Sequence, residues 1–275
     1  MKQVLKILPV DLDASKCILV CEICNEGFSY VVKDDDKNTY VAIGVFQFEK
    51  SRSDDNYSVM LQNELQQQSV LSENFKKVYL IYSVEESVLI PFSLYTSSEA
   101  DNVLNLIHGD LQSEVSILTD VIDENEIYNC YRITTGIFDL FKSMFPGAVT
   151  LHQYSVLIKQ VPPEKDKLLI IFYPKKMVLM LNKNGTTRFI NTFSYNTTED
   201  VLYILLNTCR QFEADDIPVE ISGMIEANSQ TAVEIYKYFT SVNFAKLPAR
   251  SNFSEQITRL PSHYFSYIFE IDACG

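Results

Sequence analysis

The series of strand-like and helix-like runs in this chain starts twice, and that recurrence restricts the available folds more than any other feature. After residue 16 three strand-like runs follow one another: "CILVCEIC" (17–24), "FSYVVK" (28–33) and "TYVAIGVFQF" (39–48). The turn residues Asn25-Glu26-Gly27 and the stretch from Asp34 to Asn38 separate them. β-Branched and aromatic runs divided by such residues read as a meander of hairpins. A helix-like stretch at 57–71 and the strand "VYLIY" (78–82) come next. Ala100, Val103, Leu104 and Ile107 then share one helical face, with His108 and Gly109 as its stop. A strand at 127–133 leads to a helix in which Ile137, Leu140, Phe141, Met144 and Phe145 recur at i, i+3, i+4, i+7 and i+8.

"KQVPPEKDK" (159–167), with two prolines and alternating charge, interrupts the periodicity. Beyond it the order restarts with strands at 167–173, 176–182 and 187–195, the last two joined by Lys183-Asn184-Gly185. Thr197 with Asp200 forms a capping-box pattern. The helix it opens is expected to bury Val201, Leu202, Leu205, Leu206 and Phe212. A strand at 219–225 and a helix at 229–240 complete the unit. Two halves of β-β-β-α-β-α order, 1–160 and 161–275, imply an α/β protein with a mixed sheet and packed helices in each lobe. A cleft between the lobes would be the natural ligand site.

Composition supports a buried core: of 275 residues 47% are hydrophobic, with 17 Phe and 16 Tyr. The net charge of −13 repels phosphate backbones and anionic lipids, which argues against nucleic acid or a membrane surface as partner. Lys76-Lys77 and Lys175-Lys176 read as solvated edge-strand charges rather than a basic patch. No apolar run approaches the ~20 residues that span a bilayer, and Asp11 and Asp13 stand where a signal peptide would be apolar. The expectation is a cytoplasmic protein with no membrane insertion and with its six cysteines reduced.

Cys17, Cys21 and Cys24 have the C-x3-C-x2-C spacing of an iron–sulfur site, but they lie within a strand. Side chains there alternate faces, so Cys17 and Cys21 share one face, about 13 Å apart, while Cys24 takes the other. No iron–sulfur cluster is expected. His108, His152 and His263 have no ligand-spaced partners, and no Walker loop, G-x-G-x-x-G or nucleophile elbow is present. "KDDDK" (33–37) reads as a solvated hairpin turn rather than a metal site.

The duplicated order resembles the actin-like ATPase superfamily, with its ribonuclease H-like architecture, shared by actin, Hsp70 and the sugar kinases. The stretch "GTTRFINTFSYNTTEDVLYILLNTCRQF…VEISGMI" more closely resembles a family of uncharacterised proteins from Bacteroidota with that fold. The superfamily's phosphate turn, Asp-x-Gly-Thr/Ser, corresponds in the first half to Asn25-Glu26-Gly27-Phe28. Gly27 is retained, Asn25 replaces the carboxylate and Phe28 the hydroxyl. A hairpin turn using Asn and Gly for their tolerance of positive φ explains these residues equally well.

In the second half the matching turn, Tyr173-Pro174-Lys175-Lys176, has neither carboxylate nor glycine. The adenosine motif corresponds to Ile221-Ser222-Gly223-Met224, with one glycine where the family has paired ones. The resemblance therefore implies a degenerate nucleotide site in which Asn25, Gly27, Ser222 and Gly223 are the candidate contacts. No catalytic residue, metal ligand or cofactor is expected. The function implied is a non-catalytic scaffold or assembly factor that binds a protein partner or its own copies. The alternative is a nucleotide-binding ATPase or small-molecule kinase with altered motifs, using Mg–ATP, with Glu22 or Glu26 in the metal role.

Overall fold

The computed structural model describes residues 2–25, 27–48, 57–110, 114–160, 165–269 and 271. Glu26, both prolines of the 159–167 break and Cys274 lie outside the described residues. The chain divides into two compact units, one from Met1–Val156 with Arg250–Arg259 and the other from Leu157–Ala249 with Leu260–Ile271. A single break after residue 160 does not describe this division. Residues 250–259 belong to the first unit because Asn252 and Phe253 pair with Thr39 and Tyr40 there.

In the first unit the strands are β1 (Lys2–Ile7), β2 (Cys17–Cys24), β3 (Gly27–Asp34), β4 (Thr39–Gln47) and β5 (Lys77–Ser83), with helix α1 (Tyr57–Gln66) before β5. There follow β6 (Ser87–Pro91), α2 (Ala100–His108), β7 (Val115–Ile122), β8 (Ile127–Thr134), α3 (Thr135–Met144) and β9 (Val149–His152). The main sheet runs β1-β4-β3-β2-β5-β9, antiparallel through the meander and parallel from β2 to β5 to β9. Alternation along β2 sends Cys17, Leu19, Cys21 and Ile23 into the core with Phe28, Tyr30, Leu61 and Phe141. Burial pushes the Cys17 thiol up to about 11 and the Cys21 thiol higher still, so both behave as small hydrophobes. The expected strand is present, and Cys24 faces the other way, its Sγ 3.3 Å from the Gly27 carbonyl oxygen.

The helix at 100–108 and the strand at 127–134 are not the closing elements of the repeat, as their order had suggested. They belong to an insertion in which β6, β8 and β7 make a separate three-stranded sheet. The repeat resumes at α3 and ends at β9, a four-residue strand too short to stand out in sequence. Arg132, 1% exposed, ties the insertion together: it donates to Glu86, to the Asn105 side chain and to the Gly109 carbonyl. It thereby satisfies the end of α2, where Gly109 takes φ 79°.

Helix α4 (Gln153–Gln160) carries the chain into the second unit. Strands β10 (Lys167–Phe172), β11 (Lys176–Lys183) and β12 (Thr186–Ser194) form its meander, followed by α5 (Thr198–Gln211), β13 (Val219–Gly223), α6 (Gln230–Tyr238) and β14 (Val242–Phe244). The sheet order β12-β11-β10-β13-β14 repeats β4-β3-β2-β5-β9 of the first unit, again with three antiparallel strands and then two parallel additions. Asn184 (φ 54°) and Gly185 (φ 74°) make the two-residue turn between β11 and β12. Thr197 and Asp200 form the capping box of α5. Leu206 departs from expectation: it is 37% exposed, whereas Val201 and Leu205 are fully buried. The last strand, β15 (Asn252–Phe253), and helix α7 (Glu255–Thr258) return to the first unit.

Candidate functional site

In a sheet of this order the carboxyl ends of the parallel strands form the natural binding edge. In the first unit those are the ends of β2, β5 and β9. Glu22, two residues before the end of β2, is 3% exposed. Its carboxylate accepts from Ser29 Oγ at 3.1 Å and from Gln153 Nε2 at 3.2 Å. Gln153 Oε1 in turn accepts from Ser83 Oγ at 2.6 Å. One residue from each of β2, β3 and β5 and the first residue of α4 thus join in one buried network.

Beside it, His152 is fully buried at the end of β9. Its Nδ1 accepts the Tyr154 N–H at 3.0 Å, which leaves Nε2 to donate to the Val84 carbonyl at 3.0 Å. The Asp120 carboxylate, from β7, accepts from the His152 N–H at 2.7 Å and from Tyr131 Oη at 3.1 Å. Of the two carboxylates proposed for a metal role, Glu22 is therefore committed to neutral protein donors.

Gly27 has a reason the sequence did not disclose. Its φ is not in the left-handed region, unlike that of Gly109, Gly185 and Gly223. A Cβ at Gly27 would instead stand 2.0 Å from the Phe46 carbonyl oxygen. The glycine lets β4 approach closely. Positive-φ tolerance is not why it is there. Asn25 is half-buried in the same turn, and Phe28 is buried and stacked on Phe46 at 4.7 Å.

In the second unit the corresponding edge is formed by the ends of β10, β13 and β14. Gly223 ends β13 with φ 89°, and a Cβ there would stand 2.2 Å from the Phe172 carbonyl oxygen. Its N–H donates to the His263 carbonyl at 2.8 Å, and the Met224 N–H donates to Phe172 O at 2.7 Å. Ser222, fully buried, donates to the same His263 carbonyl at 3.0 Å and lies 2.7 Å from Ser266 Oγ. His263 Nε2 donates to the Ile225 carbonyl at 2.8 Å, and its ring packs on Phe244. Ser262 Oγ reaches Ala245 O, and Tyr264 Oη donates to Glu226. Residues 262–266 thus cover the ends of both β13 and β14.

The β10–β11 turn is closed by backbone: the Tyr173 N–H donates to Lys176 O at 2.8 Å, and Tyr195 Oη donates to Tyr173 O at 2.7 Å. Neither lysine pair sits on a sheet edge, contrary to the sequence reading. Lys176 begins the internal strand β11 and is 1% exposed, with Nζ 5.5 Å from the Tyr173 ring centroid. Lys77 begins the internal β5 against Tyr79, and Lys76 pairs with Asp35 of the β3–β4 turn. Of the 33–37 stretch only Asp36 and Lys37 are exposed, and Lys33 is buried in β3.

Asn25 and Gly27 therefore share one hairpin of the first unit, and Ser222 and Gly223 adjoin at one strand end of the second. Sequence reasoning missed Ser83, Asp120, His152 and Gln153 in one unit and His263 and Ser266 in the other. Each has a partner 32 to 131 residues away, the longest separation being that of Glu22 and Gln153. No local spacing reports such contacts.

A family model described as "Protein of unknown function (DUF3822)" matches residues 10–242. The chain belongs to this family. No curated protein sequence matches it. Among solved structures, the DUF3822 chain is similar to a Bacteroides thetaiotaomicron VPI-5482 protein with actin-like ATPase fold and unknown function. The TM-score is 0.72 at 17% identity, over 86% of this chain and 94% of that one. It is also similar to a chain of the PilM–PilN type IV pilus biogenesis complex, with TM-score 0.60 at 9% identity, over 94% and 98% of the two chains. A third likeness is to the cytoplasmic domain of EpsL, an inner-membrane component of the Vibrio cholerae type II secretion system. There the TM-score is 0.52 at 10% identity, over 94% of each chain. The fold is that of the actin-like ATPases, as the duplicated order had implied. Among the described residues no helix is long and apolar enough to cross a membrane.

Proposed function

We propose that this DUF3822 protein is a non-catalytic member of the actin-like ATPase superfamily that acts by binding another protein, as a scaffold or assembly factor. The observation that carries this reading is the engagement of Ser222 Oγ and the Gly223 N–H by the His263 carbonyl. Backbone that would have to lie against a nucleotide is occupied by the chain's own C-terminal segment.

Two further observations support it. The space a Cβ would take at Gly27 is filled by the Phe46 carbonyl rather than being open to a phosphate. Glu22, the described carboxylate nearest that turn in sequence, is buried against Ser29 and Gln153, whereas a Mg²⁺ ligand needs its oxygens turned toward the metal and its waters. Asn25, Gly27, Ser222 and Gly223 therefore do not fit Mg–ATP. Two of the similar structures, the PilM–PilN complex and EpsL, are named as parts of larger assemblies, which favours a binding role. The proposal includes a cytoplasmic location and excludes nucleic acid as partner, the latter supported by the charge of −13.

The test is thermal melting of the full chain with and without millimolar Mg–ATP or Mg–ADP, together with phosphate release. A ligand at about 100 times its Kd stabilises by ~2.7 kcal/mol and raises the melting temperature by several degrees. The expected result is no shift and no phosphate above the blank. A clear shift would overturn the reading and favour an altered nucleotide-binding ATPase.

A further inference from the structure

Among the described residues, exposed sheet edges carry devices that discourage strand addition, with one exception. β1 bears Lys2 and Lys6 and a register irregularity between Gln3 and Leu5. β12 carries Arg188 at its own irregularity, and its Thr192 N–H is taken by the Asn191 side chain. β6 ends in Pro91, and β9 and β14 are only four and three residues long. Charge, proline, irregular register and brevity are the usual protections of an open edge.

β7 has no proline, no irregular register and no exposed charge, and it is not short. Its one charged residue, Asp120, is buried and accepts from the His152 N–H and Tyr131 Oη. Its eight residues, VSILTDVI, pair with β8 in unbroken register from Val115↔Thr134 to Ile122↔Ile127, and among the described residues no strand lies on its other side. The direction of its free hydrogen bonds follows from its neighbours. The Thr135 N–H donates to Glu114 O, while the Arg132 N–H is used toward Glu86, on the β6 side. Hydrogen-bonded pairs alternate in an antiparallel ladder, so 116, 118, 120 and 122 bond to β8. Val115, Ile117, Thr119 and Val121 aim their N–H and C=O groups outward. The side chains of the last three are exposed, Ile117 at 37% and Val121 at 42%.

We infer that β7 is a dimerisation edge, joined to β7 of a second copy of this chain in antiparallel register about a two-fold axis at Thr119. The sequence is self-complementary in that register. Ile117 faces Val121 of the second copy, Thr119 faces Thr119 and Val121 faces Ile117. Each of these pairs consists of residues with outward backbone groups and can exchange both hydrogen bonds. Apolar pairs form on the exposed face, Leu118 stands opposite Asp120, and within Val115–Ile122 no carboxylate stands directly opposite another. Such a contact is isologous and closes at two copies, leaving no further edge for growth. This self-complementarity favours a second copy over an unrelated strand.

The inference rests on the scaffold reading only in supplying a partner for it. Nucleotide titration tests that reading and solution mass tests this one, so either can fail alone. The experiment is sedimentation velocity on the full chain from low to high micromolar concentration, with Ile117→Lys, Thr119→Pro and, as control, Leu106→Lys on the exposed face of α2. Thr119→Pro removes an outward N–H without touching the β8 ladder.

The expected result is twice the chain mass for the wild type and for Leu106→Lys. Ile117→Lys and Thr119→Pro should raise the dissociation constant by at least about tenfold while keeping the wild-type circular dichroism spectrum. A wild type that stays monomeric throughout would overturn the inference. So would a folded Ile117→Lys variant that dimerises as the wild type does, which also serves if Thr119→Pro fails to fold.

Discussion

The two units close the same place by different means. In each, a buried histidine donates through Nε2 to a carbonyl just past the end of the fourth strand of the repeat. His152 reaches Val84 after β5, and His263 reaches Ile225 after β13. In the first unit the closing groups are side chains from neighbouring strands, the insertion and the first residue of α4: Glu22, Ser29, Ser83, Asp120 and Gln153. In the second they come largely from the backbone of a segment that follows β14. The sheets are alike in order, yet one edge is filled by polar side chains and the other by chain. An edge built for a ligand needs donors left over, and at both strand ends these donors are used internally.

The comparison can be broken most severely at its glycines. Gly223→Ala places a Cβ on the Phe172 carbonyl at a φ that L residues rarely adopt, and should cost about 3 kcal/mol in denaturant unfolding. Gly27→Ala meets only the clash with Phe46 O, without the φ penalty, and should cost about 2 kcal/mol. An equal, negligible cost at both would mean that these strand ends are looser than described.

Glu22→Ala sharpens the side-chain half of the contrast. It leaves Ser29 and Gln153 as buried donors without their acceptor, an expected loss of ~1–3 kcal/mol in the same assay. A neutral result would show that water serves Ser29 and Gln153 as well as Glu22 does.

A change away from both edges calibrates the scale. Thr197→Ala removes the α5 cap and should cost about 1 kcal/mol. Its partner Asp200 is held below the usual carboxylate range by the backbone N–H groups of Asn196 and Thr197. A depressed native pKa means that its contribution is fully present above the unfolded value, about 3.9, and fades as pH falls through the native one. The stability difference between wild type and Asp200→Asn should therefore shrink in acid below about pH 4, as followed by urea titration across pH.

Much of the architecture could be read from the chain because meander strands and capped helices are local. The strands at 17–24 and 39–47 and the box at Thr197–Asp200 follow from alternation, turn residues and capping alone. β1 was hidden by its lysines, and β9, β14 and β15 by being two to four residues long. The insertion was misread because its helix and strand fit the repeat's own order, and only pairing partners separate the two sheets. Leu206 was expected inside because it extends an apolar stripe, but the stripe is wider than the face that α5 buries. For the site, glycine positions were legible and their reasons were not. Gly27 answers to Phe46, and Gly223 to Phe172 and His263, contacts that exist only once the sheets have formed.

The most direct test is hydrogen–deuterium exchange of the full chain with and without saturating Mg–ATP, followed in peptides covering 220–226 and 260–268. The account predicts slow exchange at the Gly223 and Met224 amides, protection of the 262–266 region that opens together with them, and no change on adding nucleotide. Rapid exchange of Gly223 in the free protein, or new protection of 220–226 with Mg–ATP, would contradict it.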